Sequence, residues 1–365
     1  MRVFFICKRY YTNKDLLKDR FGRLYHLPVE LARLGAYVSV TTIDYRHPWG
    51  DEIYAEGVLF RTTPATPSKL FSLPFHLNRS AQAAKPDIII ASGDSHIGYI
   101  GLRIARRLHA RFVFDVYDYY PAFFGNRIPG MKAMFHSAVK HADWVLCASV
   151  PLQHTLSGLN QNTLLIENGV DRVSFAPGDM KQARKKLNLG EEAPLVGYFG
   201  SITSTRGPLL IEACRKLREG IPSLRLILAG RVTDVAIDEP WISYLGELPQ
   251  QSIPELIRAC DVVTVPYAAD IFNSMAGACK IAEYLACSKP VVATRISSHG
   301  QIFKDAPGSL CDPDPNDLAR AICRQLNHPE LVLFPETLDW TSIGRVLFNA
   351  LDSVKNCGFS TNRLQ

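Results

Sequence analysis

No apolar run in this 365-residue chain approaches the roughly 20 residues of a membrane-spanning helix, so no integral membrane segment is expected. The apolar stretch near the start covers only residues 3–7. That is short of the about 7–15 residues of a signal-peptide core and predicts a first buried strand in a cytoplasmic protein. The nine cysteines include no CxxC pair. An odd, scattered set predicts reduced thiols and excludes a disulfide framework or a zinc site. Cys260, Cys279 and Cys287 lie among apolar neighbours and are expected to fill the core. Neither GxxxxGK[ST] nor GxGxxG occurs, so neither a P-loop nor NAD binding has support. A GxSxG elbow and a Ser-His-Asp order are missing too, which leaves a nucleophilic hydrolase without a basis. No basic stripe with interleaved aromatic residues marks a nucleic-acid surface. There is no short-period repeat, low-complexity tract or heptad run.

What is present is an ordinary globular composition with 47% apolar residues, long enough for two domains. Forty-one Lys and Arg stand against 35 Asp and Glu, a net charge of +6. That mild excess suits an anionic substrate or an anionic membrane surface.

Short apolar runs alternate with helical patterns. Strands are predicted over 3–7, 37–43, 87–91, 112–116, 144–148 and 164–167, with an extra edge run at 58–61. Helices are predicted over 19–34, 68–84, 96–109, 131–141 and 151–157. A turn-rich then charged stretch interrupts the pattern, and the alternation restarts with strands over 195–199, 224–229, 241–245, 261–265 and 290–294. Helices over 207–219, 253–260, 278–287 and 316–327 intervene, and a last one runs from 341 to about 354. The fold class is therefore α/β: two Rossmann-like, doubly wound domains. The boundaries are set at 1–171, a linker over 172–193, a second domain over 194–336 and a C-terminal helical segment over 337–365 that packs back on the first domain.

Five stretches carry candidate chemistry. GSITSTRG, Gly200 to Gly207, follows the strand LVGYF. Small residues between a strand and a helix let backbone N–H groups approach a phosphate, and Arg206 could clamp a diphosphate; an ordinary strand–helix turn is the alternative. Lys280 and Glu283, three apart after Gly277, put an ammonium and a carboxylate near a helix start, where phosphate is attracted. The alternative is a plain surface ion pair. In the first half, Gly22, Asp94 and His96, and Asp115 and Asp118 sit at strand ends, where doubly wound sheets line their clefts. A carboxylate there could accept a proton from an acceptor hydroxyl; capping is the alternative. DPDPND, Asp312 to Asp317, reads as a turn and helix cap rather than a metal site. The segment 123–141 mixes Met131, Met134, Phe135 and Val139 with Lys132 and Lys140, a helix either half-buried or lying on an anionic bilayer.

Taken in order, FGRLYHLPVELARLGAYVSVTT, LLIENGVDRVSFAPGD, GYFGSITSTRG, LRLILAG, YLGELP, ACDVVTVPY, KIAEYLACSKPVVAT and CDPDPNDLARAI resemble the group 1 glycosyltransferases, in their EYLA-type branch, over most of the chain. The resemblance implies the GT-B fold, two Rossmann-like domains facing across a cleft. It implies transfer of a sugar from a nucleotide diphosphate sugar to a hydroxyl of a glycan or lipid-linked acceptor, in polysaccharide or glycolipid biosynthesis, with retention, with no cofactor and no metal. Contact with an anionic membrane at its inner face is part of the expectation; nucleic acid is not. Donor-binding roles fall on Gly22, Gly200, Ser201, Arg206, Gly277, Lys280 and Glu283, the last matching the second of the family's paired glutamates. Lys280, Glu283 and Asp118 are the catalytic candidates, and Asp94, His96 and Asp118 fall on the acceptor side. The sequence departs from the pattern at Met275, where the first paired glutamate should be, at Ser201, where a second basic residue is usual, and at Ser288 in place of glycine. Two alternatives stay open: a nucleotide-sugar epimerase on the same fold, and a non-catalytic nucleotide-sugar-binding subunit.

Overall fold

The computed structural model describes residues 1–11, 14–190, 192–277 and 279–356. The chain forms two compact units, Met1–Glu167 with the segment from Trp340, and Asn168–Asp339.

The first unit is built on an eight-stranded sheet. Its spatial order is Thr163–Leu165, Trp144–Cys147, Arg111–Val116, Ile88–Ser92, Arg2–Lys8, Tyr37–Asp44, Val58–Pro64 and Glu52–Ala55. Every pairing is parallel except the last, where Glu52–Ala55 turns back on Val58–Pro64. The extra run expected at 58–61 is strand Val58–Pro64, and its outer partner Glu52–Ala55, not expected, joins it through Glu56 (φ 48°) and Gly57 (φ 80°) alone. Two residues at positive φ make the tight turn that suits the twist of paired strands. The central strands are buried on both faces, as apolar runs without alternation require. Helices Leu73–Ala84, Ser95–Leu108 and Met131–His141 pack in succession along the sheet.

The helix expected from residue 19 begins at Arg23 and ends at Arg33. Arg20 (φ 48°) and Gly22 (φ 69°) break the helical path, and a separate turn, Leu16–Asp19, is capped by Asp15. A Cβ on Gly22 would meet open space, so its left-handed φ is what favours glycine. The C-terminal helix, Trp340–Asn356, packs against Arg23–Arg33. The Trp340 and His26 rings stack at 5.1 Å, and Gly344 lies against Glu30.

The second unit has a six-stranded, all-parallel sheet in the order Ile242–Tyr244, Arg225–Ala229, Leu195–Phe199, Val262–Val265, Val291–Thr294 and Leu310–Cys311. By position in the chain this is 3-2-1-4-5-6, the dinucleotide-fold order whose switch point lies between the first and fourth strands. The last strand, two residues long, is too short to show in the sequence pattern. Residues 172–193, expected as a linker, belong to this unit. Helix Met180–Lys186 packs on Ile253–Ala259, and Arg184 binds Asp261 at 2.6 Å and the Ala259 carbonyl at 3.0 Å. Cys260 and Cys287 are core residues as expected, whereas Cys279 is half-buried.

Candidate functional site

At the switch point of the second unit, Leu195–Phe199 ends in Gly200 and Ser201, and the chain turns through Arg206 into helix Gly207–Gly220. The turn is held closely. The Gly200 N–H donates to the Ala229 carbonyl at 2.9 Å, and the Tyr198 hydroxyl donates to the Ser201 carbonyl at 3.0 Å. Gly230 (φ 134°) lies against the Gly200 backbone so closely that a Cβ there would collide with the Gly200 carbonyl. Both its conformation and its contact require glycine.

Two cations flank this turn. Arg206 spans the gap between sheet and loop. Its Nε donates to Asn273 Oδ1 at 3.0 Å and its guanidinium lies 4.2 Å from the Tyr267 ring centre. Asn273 is buried and fixed in turn: its amide donates to the Ala268 carbonyl (3.0 Å), Asp270 (2.9 Å) and Thr205 Oγ1 (3.3 Å). Lys280 comes from helix Cys279–Ala286, and its Cε lies 3.4 Å from the position of a Cβ on Gly200. Its ammonium donates to Glu283 Oε2 at 2.9 Å, while Gln250 donates to Glu283 Oε1 at 3.0 Å. Burial disfavours the ammonium, but the Glu283 carboxylate outweighs it and holds the Lys280 pKa above the ordinary lysine value. The lysine is therefore charged at neutral pH.

The pair is not a solvated surface contact, the alternative the sequence left open. The Glu283 side chain is 3% exposed and that of Lys280 20%. A carboxylate oxygen has room for more than one donor, so Glu283 can still accept from a ligand hydroxyl. Gly277 lies in the connection between the short helix Ile271–Met275 and Cys279–Ala286, and Met275 ends that short helix. The fold brings Gly200, Ser201, Arg206, Lys280 and Glu283 into one neighbourhood. Sequence reasoning singled out none of Tyr198, Gln250, Tyr267 and Asn273, which join them through contacts that no local pattern encodes.

In the first unit Asp94 and His96 gather at the ends of the first and fourth parallel strands. Asp94 occupies the cap position of Ser95–Leu108, yet its oxygens take Lys8 Nζ at 3.1 and 3.2 Å instead of capping. His96 Nε2 is 2.6 Å from the Tyr45 hydroxyl. Burial lowers the His96 pKa; nearby Asp94 opposes the shift and Lys8 adds to it. Asp118 is half-buried in the turn after Arg111–Val116. Asp94 and Asp118 both face the buried Tyr117 and Tyr120, whose pKa values are pushed well up, first by burial. Asp115 is different: it is a structural anchor, fully buried and bonded by Arg23 at 2.7 and 3.2 Å. The same guanidinium reaches the Ile166 carbonyl at 2.9 Å, so this carboxylate has no access to a ligand. In the DPDPND turn Asp314 caps helix Pro315–Asn327, and Asp317 accepts from the Asp312 N–H at 2.7 Å.

The two units match two family models: residues 193–328 that of the glycosyl transferases group 1, residues 23–173 that of glycosyltransferase family 4. With both sheets in dinucleotide-fold order, the architecture is of the GT-B class. It resembles that of the HepE protein of Anabaena, solved in complex with UDP (TM-score 0.74, 18% identity, 97% of this chain and 100% of that one). It also resembles that of sucrose-phosphate synthase from Thermosynechococcus elongatus (TM-score 0.70, 20% identity, 97% and 96%). The chain belongs to the group 1 glycosyltransferases. Over 175 residues it is 31% identical to the D-inositol 3-phosphate glycosyltransferase of Stackebrandtia nassauensis, covering 42% of this chain and 38% of that protein. The match thus spans well under half of that relative's length.

Proposed function

We propose that this protein transfers a sugar from a nucleotide diphosphate sugar to a hydroxyl of a glycan or lipid-linked acceptor, in polysaccharide or glycolipid biosynthesis, at the cytoplasmic face of a membrane. The observation that carries this reading is the pair of fixed cations, Arg206 and Lys280, flanking the Gly200–Ser201 turn with Glu283 beside them. A departing nucleoside diphosphate gains negative charge as the sugar–oxygen bond breaks. Preorganised cations stabilise that charge more than they stabilise the bound donor. Arg206 is held by Asn273 and Tyr267, so it need not reorganise during the reaction. Lys280 is kept charged by Glu283. The free acceptor capacity of Glu283 suits a ribose hydroxyl of the donor.

With two cations for the diphosphate, the reaction proceeds without a divalent metal. We assign a retaining course, in which the leaving phosphate takes the acceptor proton and no protein base is needed. Asp94, His96 and Asp118 serve the acceptor side, with Asp118 as base should the course prove inverting. A thermal-shift panel of nucleoside diphosphates and their sugars tests the reading. A bound ligand in excess of its dissociation constant raises the melting temperature. The expected result is a shift with at least one nucleoside diphosphate, lost in Arg206→Ala and in Lys280→Ala; the absence of any shift across the panel rejects it. Once the donor is known, the anomeric configuration of the product, read by NMR, decides the stereochemical course.

A further inference from the structure

The helix Met131–His141 turns its apolar face into the fold. Its Phe135 and Val139 are buried, Phe135 packing edge-on to Phe114 at 5.8 Å. A cluster of apolar side chains left in solvent stands elsewhere in the first unit, on three loops and their flanks around the start of helix Ser95–Leu108. The first loop, after Tyr37–Asp44, exposes Trp49. The second, after Val58–Pro64 and running into helix Leu73–Ala84, exposes Leu70, Phe71 (96%) and Phe75 (65%). The third, ahead of Met131–His141, exposes Phe124 (79%) and Ile128 (62%).

Side-chain contacts join the three loops to one rim. Lys69 of the second loop donates to the Pro48 carbonyl of the first. Tyr45 of the first loop meets His96 in the first turn of Ser95–Leu108. Ser95, in the same turn, bonds Asn126 of the third loop. The rim is also predominantly basic. Residues 45–50, 66–80 and 119–136 contain Arg46, Lys69, Arg79, Arg127 and Lys132 and no Asp or Glu, the carboxylates of the same loops being Asp51 and Asp118 at their ends. All five of these cations are solvent-exposed.

Bare aromatic side chains interspersed with an excess of cations over carboxylates fit one kind of surface. The rings enter the interfacial layer of a bilayer, and the cations meet anionic headgroups. We infer that the rim formed by residues 45–50, 66–80 and 119–136 docks the protein on an anionic lipid bilayer. A protein partner of matching charge would have to supply both an apolar face and a carboxylate surface, whereas the bilayer supplies both without specific pairing. Such docking deepens the transferase reading, on which its purpose rests, since Asp94 and His96 of the acceptor side lie at the same helix start.

Flotation of the full chain with vesicles tests this without any need for transfer. Vesicles of phosphatidylcholine alone are compared with vesicles that also contain phosphatidylglycerol. The chain is expected to float with the anionic vesicles, several-fold less with the neutral ones, and less at about 0.5 M salt. Replacing Phe71, Phe75 and Phe124 together by Ser lowers the bound fraction at least tenfold. Each neutralised cation in Lys69→Gln, Arg127→Gln and Lys132→Gln costs up to about fivefold. Tyr37→Ser with Tyr54→Ser, exposed outside the rim, leaves binding unchanged. The replaced side chains are solvent-exposed, so unchanged melting temperatures are expected, and nucleotide thermal shifts measured in parallel report separately on the transferase reading. No flotation, equal flotation with neutral vesicles, or full binding by the Phe71, Phe75 and Phe124 variant overturns the inference. So does a dimer of the parent chain that this variant makes monomeric, because the rim would then serve a second copy.

Discussion

Two ion pairs, one in each unit, differ in what they leave open. Arg23–Asp115 in the first unit joins a helix residue to a carboxylate at the end of a parallel strand, and Lys280–Glu283 in the second joins two residues of one helix. In the first, both partners are enclosed, at 2% and 0% exposure, and the guanidinium is bonded to Asp115 and the Ile166 carbonyl beside the Tyr117 ring. In the second, the carboxylate is enclosed and the cation reaches the Gly200 turn with part of its surface open. A buried pair with no open face fixes the fold. The same chemistry with one open member leaves a cation that can meet a ligand.

Breaking the enclosed pair is expected to have the largest effect. Arg23→Leu leaves the Asp115 charge buried without its partner, which costs about 3–5 kcal/mol of stability by denaturant titration. The double variant Arg23→Leu, Asp115→Leu recovers much of that loss. A stability loss below about 1 kcal/mol in the single variant would mean that the pair is no anchor. Lys280→Ala tests the other side of the comparison. Removing one preorganised donor of charge stabilisation lowers kcat about 10²–10³-fold, while stability falls by less than in Arg23→Leu because Gln250 still donates to the Glu283 carboxylate. A large drop in stability with normal turnover would reverse the assignment of the two pairs.

Two histidines extend the contrast to pH. His299 is buried, and burial lowers its pKa from 6.5 to about 4, against the opposing bond from its Nδ1 to the Thr294 carbonyl at 2.8 Å. The fold holds it neutral, so protonation favours the unfolded chain. Its stabilising contribution is whole above pH 6.5 and is lost as pH falls towards about 4. The loss amounts to about 3 kcal/mol, and His299→Gln should flatten the fall of stability with acidity over that window. His96 is shifted in the same direction, but its ring meets Tyr45, Asp94 and Lys8 at the first unit's strand ends. Its titration should show in the pH dependence of acceptor KM more than in melting. The smallest effect expected is indirect. Asn273→Ala frees Arg206 without removing it, lowering kcat about tenfold with donor KM nearly intact, and Asn273→Asp recovers part of the loss because its carboxylate can still accept from the guanidinium. Equal losses in both variants would reduce Asn273 to a packing role.

The strand and helix alternation, the doubly wound class of both units and the pairing of a glycine turn with Lys280 and Glu283 were all legible in the chain itself. They are local signals: apolar runs of strand length, helical spacing, and small residues where backbone must approach backbone. Met275 and Ser201 were legible as departures. The start of the helix at Arg23 was not, because a left-handed residue at Arg20 leaves no mark on hydrophobic periodicity. Nor was the inclusion of residues 172–193 in the second unit, which Arg184 secures by reaching Asp261 across 77 positions of sequence.

The sequence by itself determined which segments are strands and helices, their parallel arrangement, and which residue types stand at the strand ends. Those follow from patterns repeated within a few residues. Only the tertiary structure decided that the Arg23–Asp115 pair is sealed and that the pair at Glu283 keeps its lysine partly open. It alone placed Asn273, Gln250, Tyr198 and Tyr267 around the two cations, and gathered three loops bearing exposed aromatic side chains and cations on one rim. These outcomes depend on which distant side chains meet and on how much water each keeps, and desolvation is a property of the packed chain that no single stretch of it carries.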